Sequence, residues 1–310
     1  MPSTTDREAS TTIGAYRVIA RLAAGGMSEI YLGTARAPAS DAPLVVLKRM
    51  RPHLNDAPEL RASLIDEARI MSRLDHPNVV AVHELGEDRD AHHLVMEYLR
   101  GESLSGLVRA LRARRERLAP ALVAFVTREL CAGLHAAHEL RGDDGRSLRV
   151  VHRDVSPQNV FVTFDGDVKL LDFGIARFEN SARGARPGMT DGKLAYMAPE
   201  QLHGDRVDRR ADVFACGVVL HELLSGTRLF AREHDVDVVR AVLGAAIPVP
   251  SGVALPGPAI APELDAICMR ALARDPDERF GTAHALGAAL GALMPALDPD
   301  DRARESLAAL

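Results

Sequence analysis

Along the first hundred residues apolar and polar positions alternate. YRVIARL and SEIYLGTA, Tyr16 to Leu22 and Ser28 to Ala35, intersperse apolar with polar residues around AAGG, which predicts two strands joined by a glycine turn. PLVVLKRM follows the loop APASDAP as a third strand. PELRASLIDEARIMSRL changes to helical spacing and stops at His76, Pro77 and Asn78, where the proline cannot continue a helix. NVVAVHELGE and AHHLVMEYL return to strand character. The pattern predicts a small five-stranded sheet with one main helix.

After Gly101 the period becomes helical. LSGLVRALRARRERL, LAPALVAFVTRELCAGLHAAHEL, the region Asp212 to Leu224, the segment Val236 to Leu243 and the stretch Leu264 to Leu290 all read as helices. Two short strands, VFVTFD and DVKLLDF, flank Gly166, and the Pro/Gly-rich IPVPSGVALPGP reads as a surface loop. No internal repeat or long low-complexity linker interrupts this order. The expected organisation is a disordered polar segment at 1–12, a sheet lobe at 13–99, a helical lobe at 100–295 and a tail at 296–310.

Composition narrows the class. A chain of 310 residues with 47% hydrophobic residues can bury a sizeable core. Its net charge of -5 speaks against a nucleic-acid coat or a membrane-surface protein, since both need a basic field. Cys131, Cys216 and Cys268 are odd in number and contain no CxxC pair, so no disulfide framework or cysteine zinc site is expected and a reducing cytoplasm fits. MPSTTDREASTT lacks the apolar core of a signal peptide, and no run of 18 apolar residues suggests a membrane span. Gly281 to Leu297 comes nearest, but its small residues and His284 read as a core helix. Among 38 basic residues only Lys48, Lys169 and Lys193 are lysines, so a position that keeps the compact ammonium is informative.

The chemistry-bearing residues follow one another in a telling order. AAGGMS alone is a weak signal, because glycines at hairpins are common. After it come Lys48 on a strand, Glu67 on a helix, and VHRDVSPQNVFV with Asp154 and Asn159. Asp172, Phe173 and Gly174 follow, then Ala198, Pro199 and Glu200. This set resembles the protein-kinase signature over roughly Tyr16 to Leu293. The wording GGMSEIYLG, HRDVSPQN and GKLAYMAPEQL resembles in particular bacterial serine/threonine kinases of the eukaryotic-like, Hanks type.

The resemblance implies an α+β, bilobal protein-kinase fold that passes the γ-phosphate of ATP to protein Ser/Thr hydroxyls. Phosphoryl transfer asks mainly for positioning and charge neutralisation. Lys48, held by Glu67, would meet the α and β phosphates; Asp154 would take the substrate hydroxyl's proton. Asn159 and Asp172 would bind Mg2+, with Mn2+ as its alternative. The nucleotide would lie against Leu22, Ala23, Gly25, Gly26, Ser28 and Ile30, with Val46, Met96 as gatekeeper, Glu97, Leu99 and Phe161. His152 and Phe173, with Met71 and Val82, resemble the apolar column that links the lobes of an active kinase. Glu200 and Arg279 resemble the buried ion pair of the activation segment, and Asp212 the residue that holds the catalytic-loop backbone. The implied partners are ATP and protein substrates with Ser/Thr acceptors, with a homodimer for trans-autophosphorylation. Neither nucleic acid nor a membrane span is implied.

Three departures stand out. Ala23 and Ser28 occupy the first and third glycine places of the phosphate loop. Ser156 stands where the resemblance implies a lysine, and Lys193 where it implies a threonine, which suggests that the cation has moved from the catalytic loop to the activation segment. Arg153 resembles the arginine that pairs with a phosphorylated activation loop, for which Thr190 is the preferred acceptor and Ser181 the other. A pseudokinase or nucleotide-binding scaffold is the main rival reading, supported by the altered glycines and Ser156. Small-molecule phosphotransfer is disfavoured by the Ala-Pro-Glu segment with Arg279, and tyrosine specificity by the retained Pro157. His135 and His138 read as residues of a packed helix, and RALRARRERL as a solvated one.

Overall fold

The computed structural model describes residues 12–25, 28–35, 43–51, 58–88, 91–173 and 192–310. Its contacts divide the chain into two units, one running through Ser72 and including Ala81–Leu99, the other comprising Arg73–Val80 and Arg100–Leu310.

In the first unit, alternation becomes sheet. Strands β1 (Thr12–Ile13), β2 (Tyr16–Ala24), β3 (Ser28–Ala35), β4 (Leu44–Met50), β5 (Val82–Asp88) and β6 (Ala91–Glu97) pair antiparallel in the order β1-β2-β3-β4-β6-β5. The five expected strands are joined by the two-residue β1, whose Ile13 is buried with Val45, Leu47 and Val95. Helix α1 (Pro58–Met71) packs on β5 and β6, and its Ala68 and Met71 are buried.

The second unit begins with Arg73–Val80, which belongs with strands much later in the chain. Val80 N–H donates to Leu170 O at 3.0 Å and Leu170 N–H to Asn78 O at 2.8 Å. A three-stranded sheet is made of β7 (Gly101–Ser103), β8 (Val160–Thr163) and β9 (Val168–Leu170). The helices are α2 (Leu104–Ala113), α3 (Pro120–His138), α4 (Pro199–His203), α5 (Arg210–Ser225), α6 (Asp235–Gly244), α7 (Pro250–Val253), α8 (Pro262–Ala271), α9 (Ala283–Gly291), α10 (Met294–Leu297) and α11 (Ala303–Ala308). Every residue of α5 from Ala211 to Ser225 is buried, and α3 and α8 pack against it. That explains its apolarity all round: it is the centre of the unit.

Two helical expectations and one loop expectation need correction. The helix expected over Leu104 to Leu118 ends at Ala113, because Arg115 takes a left-handed φ of 59° that a helix cannot accommodate. The stretch Leu264 to Leu290 is two helices, α8 and α9, separated by a 3-10 turn at Pro276–Glu278. Asp275 caps that turn by accepting from Asp277 N–H, and Pro276 lacks the N–H that a continuous helix needs. IPVPSGVALPGP contains the single turn α7, whose Pro250 is buried. By length and composition Pro276–Leu297 is apolar enough to cross a membrane. Here it is broken into turn and helices, and α9 packs on α3. Within the segment read as a tail, α11 buries Ala303 and Leu307.

Candidate active site

Strand register decides which side chains of the first unit share a face. Ala23 stands opposite Ile30, Ile30 opposite Lys48, and Val46 opposite Met96. Residues two apart on a strand point the same way, so Ala23, Ile30, Val46, Lys48 and Met96 occupy one face, opposite the cluster of Val45, Leu47 and Val95. On that face Lys48 Nζ donates to Glu67 Oε1 of α1 at 2.9 Å, with the two side chains 10% and 4% exposed. Glu97 N–H donates to Ala81 O at 3.0 Å, and its carboxylate accepts Ala81 N–H at 2.8 Å. This pair of hydrogen bonds fixes the backbone that leads to Leu99. Leu22 is half exposed on β2, and Gly25 N–H closes the loop onto Ser28 O at 2.8 Å. Gly26 lies outside the described residues.

The second unit carries the acid and amide groups. Val160 pairs with Leu170, and Leu171 N–H donates to Asn159 O at 2.8 Å, so Asn159 and Asp172 flank one end of the β8–β9 pair. Phe161 is half buried on β8. Asn159 Nδ2 donates to Asp154 O at 2.8 Å and to Asp154 Oδ2 at 2.9 Å. Both amide hydrogens are thereby used, which fixes the amide and leaves Oδ1 as an acceptor that receives no hydrogen bond among the described residues. Asn159 Oδ1 is a hard oxygen donor, as is the carboxylate of Asp172, which follows the Leu171 that bonds to Asn159 O, and both donor types suit a divalent cation. No cluster of three or more His, Cys, Asp or Glu among the described residues forms a separate metal cage.

Asp212 of α5 holds the loop in place. Its carboxylate accepts His152 N–H and Arg153 N–H, each at 2.8 Å, and faces His138 Nε2 of α3 at 2.7 Å. Burial pushes the Asp212 carboxyl up, but the bond and charge of His138 and the Arg153 N–H outweigh it, leaving it below the usual carboxylate range. Arg153 pays for the tight bend with a φ of 64°. His152 is fully buried, which pushes its imidazole down toward the neutral form. Its Nδ1 accepts Asp154 N–H at 3.2 Å, and its ring lies 4.7 Å from that of Phe173 at 41°. Of the other residues read as the apolar column, Met71 is buried and Val82 half buried in the first unit.

Lys193 approaches the same carboxylate: its Nζ lies 2.5 Å from Asp154 Oδ2, with side chains 12% and 13% exposed. Ser156 is 2% exposed, and its Oγ has no hydrogen-bond partner among the described residues. Beyond Lys193, Arg279 Nη1 and Nη2 donate to the two oxygens of Glu200 at 2.7 and 2.8 Å. Gly174, Ser181 and Thr190 lie outside the described residues.

Sequence reasoning missed the groups that hold this arrangement from a distance. His138 was legible only as a helix residue, yet it braces Asp212. Tyr196 OH donates to the buried Glu222 at 2.9 Å, and Glu222 also receives Leu229 N–H at 3.1 Å and Arg112 Nη2 at 3.3 Å. Arg112, read as part of a solvated basic helix, therefore has a structural role, as has Arg117, whose Nε donates to Leu255 O at 2.9 Å. The available signal was a glutamate near the end of a mostly apolar helix.

Comparison with known proteins decides the family. The protein kinase domain model matches residues 16–289. The chain belongs to the protein kinase family. Tyrosine-protein kinase MasK of Myxococcus xanthus (strain DK1622) is 42% identical over 277 residues, covering 89% of this kinase and 42% of MasK. Serine/threonine-protein kinase PknE of Mycobacterium bovis is 33% identical across 97% of this kinase and 50% of PknE. Serine/threonine-protein kinase PknL of Mycobacterium tuberculosis is 35% identical across 90% of this kinase and 65% of PknL. The chain thus spans between 42% and 65% of the length of these relatives. Among solved structures, the Mycobacterium tuberculosis PknI kinase domain superposes with a TM-score of 0.65 at 26% identity, covering 91% of this kinase and 97% of that domain.

Proposed function

We propose that this kinase transfers the γ-phosphate of ATP to serine and threonine hydroxyls of proteins, itself included, as a cytoplasmic signalling enzyme of a bacterium. The observation that supports this most is Asp154, whose carboxylate takes one bond from Asn159 Nδ2 and whose backbone O takes the other, on a loop clamped by Asp212. The substrate oxygen attacks Pγ while the bond from Pγ to the β,γ-bridging oxygen breaks and its electrons leave with ADP. The hydroxyl proton passes to Asp154. Lys48, kept in place by Glu67, meets the α and β phosphates. Asn159 Oδ1 and Asp172 would hold Mg2+, or Mn2+ in its stead, which would supply charge neutralisation on the phosphate oxygens. Leu22, Ala23, Gly25, Gly26, Ser28, Ile30, Val46, Met96, Glu97, Leu99 and Phe161 receive the nucleotide. The three cysteines are free and buried, consistent with a reducing compartment.

Tyrosine is the second acceptor to weigh, because MasK, named a tyrosine-protein kinase, is 42% identical to this chain. Incubation with radiolabelled ATP, Mg2+ and a generic basic protein, followed by phosphoamino-acid analysis, separates the readings. Phosphoserine and phosphothreonine, lost in Asp154→Asn, are expected. Phosphotyrosine alone would transfer the assignment to tyrosine. Nucleotide binding without any transfer by the wild type would favour the scaffold reading. Thr190 is the proposed autophosphorylation site, and a fully active enzyme whose Thr190 peptide is unmodified by mass spectrometry would remove it.

A further inference from the structure

We infer that Lys193 is the catalytic cation of the transfer step, carried by the activation segment instead of the catalytic loop. The inference rests on the kinase reading above and deepens it. Lys193 Nζ lies 2.5 Å from Asp154 Oδ2, the oxygen that also takes Asn159 Nδ2 at 2.9 Å. With both side chains nearly buried, this pair is poorly screened and differs from a solvated surface contact. Two residues beyond Asp154, the enclosed Ser156 brings no charge. In a chain that uses arginine almost everywhere, two of the three lysines, Lys48 and Lys193, stand against site carboxylates, the third being Lys169 on β9. An ammonium is a compact point charge able to serve the carboxylate and a transferring phosphoryl oxygen together.

The backbone beneath it is anchored. Gly192 supplies a φ of 96° that places the turn, and a side chain there would crowd Arg228. Tyr196 N–H donates to Lys193 O at 3.1 Å, and Tyr196 is tied through Glu222 to α5. During transfer the new O–Pγ bond forms as the bond to the leaving ADP oxygen breaks, and the hydroxyl proton goes to Asp154. The Lys193 ammonium, beside that carboxylate, neutralises charge on the moving phosphoryl oxygens and is unchanged at the end.

Chemical restoration of the charge tests this. Lys193→Cys is expected to lower kcat about 100-fold while nucleotide affinity stays within about twofold. Alkylation of the new thiol by 2-bromoethylamine, with loss of bromide, rebuilds an ammonium of nearly lysine length and should return turnover to at least about a tenth of wild type. Iodoacetamide, which adds a neutral group, should not. The wild-type protein serves as the reagent control, since Cys131, Cys216 and Cys268 are buried. Wild-type kcat in Lys193→Cys, or equal turnover of the two alkylated forms, would overturn the inference. If the wild type itself transfers no phosphate, the kinase reading fails instead, and Asp154→Asn marks that baseline.

Discussion

Arg279 sets five N–H groups against five oxygens: Ala273 O, Arg210 O, Arg274 O and the two oxygens of Glu200. The side chain has no exposure, and its guanidinium carbon lies 5.0 Å from the Phe214 ring centroid. A lysine keeps the charge but has three donors and no planar fork, so Arg279→Lys leaves buried acceptors unmet. We expect a loss of about 3 kcal/mol in urea unfolding. A loss below 0.5 kcal/mol would show that the fork is dispensable. Asn159 poses a similar question at the site, because one amide both donates to Asp154 and offers Oδ1. Asn159→Asp keeps an oxygen for the metal but exchanges the donor for a carboxylate facing Asp154. Turnover should fall about 100-fold with no rise in the Mg2+ needed for half-maximal activity. A rise in the Mg2+ needed, with kcat preserved at saturation, would mean that metal binding alone explains the residue.

At the scale of elements, the β8–β9 turn shows how one residue couples two of them. Gly166 has a φ of 79°, and a Cβ there would collide with the carbonyl of Arg304 in α11. Arg304 also reaches Asp167 at 2.7 Å and Asp165 O at 3.1 Å. Gly145 provides the control, with a φ of 75° and nothing within 4 Å of an added Cβ. Gly145→Ala should therefore cost only the left-handed backbone term, about 1 kcal/mol, while Gly166→Ala adds the displacement of α11 and should cost about twice that. Hydrogen exchange at Ala303–Ala308 should accelerate in the second variant alone. Equal melts and equal exchange would mean that α11 yields freely. The same elements show what the sequence could tell. Strands β2 to β6 and α1 were legible because their polarity repeats over seven or more residues. Strand β7 was not, since GES has no apolar alternation and exists only by pairing with β8. The break between α8 and α9 was masked by apolar residues that keep the helical period on both sides of Pro276. Motif order pointed to Lys48, Glu67, Asp154, Asn159 and Asp172, and the structure joins Lys48 to Glu67 and Asn159 to Asp154; the lysine in the activation segment pointed to Lys193, which the structure sets against Asp154. Asp212 was legible too, but the groups behind it were not: His138 stands 74 residues from Asp212 and Arg112 110 from Glu222, and no local period links such pairs.

For the molecule as a whole, the histidines fix a direction in pH. His93 in the first unit and His152 and His221 in the second are each at most 1% exposed, and burial pushes all three imidazoles below 6.5. Neighbouring carboxylates push back, Glu84 and Asp88 at His93, Asp212 and Asp154 at His152, and Glu222 and Asp265 at His221, but burial prevails. In the unfolded chain these rings take up protons near pH 6.5, whereas in the fold they resist protonation. The unfolded state therefore binds more protons as pH falls, so stability is complete above about 6.5 and declines below it. Each group contributes a slope approaching 1.4 kcal/mol per pH unit within its own window, so three together give about 4 kcal/mol per unit at most. Asp212 has the opposite timing. Its depressed carboxyl keeps its contribution until the pH falls below 3.8, so it does not account for losses between pH 6.5 and 5. Urea melts at pH 7.5, 6.5, 5.5 and 5.0 should show a falling midpoint beginning near 6.5, with a corresponding uptake of protons on unfolding. Because the histidines are divided between the two units, separate transitions for them should both move. A midpoint constant from pH 7.5 to 5.0 would mean that the folded rings protonate as easily as free ones, and the buried neutral His152 beneath the catalytic loop would have to be abandoned with it.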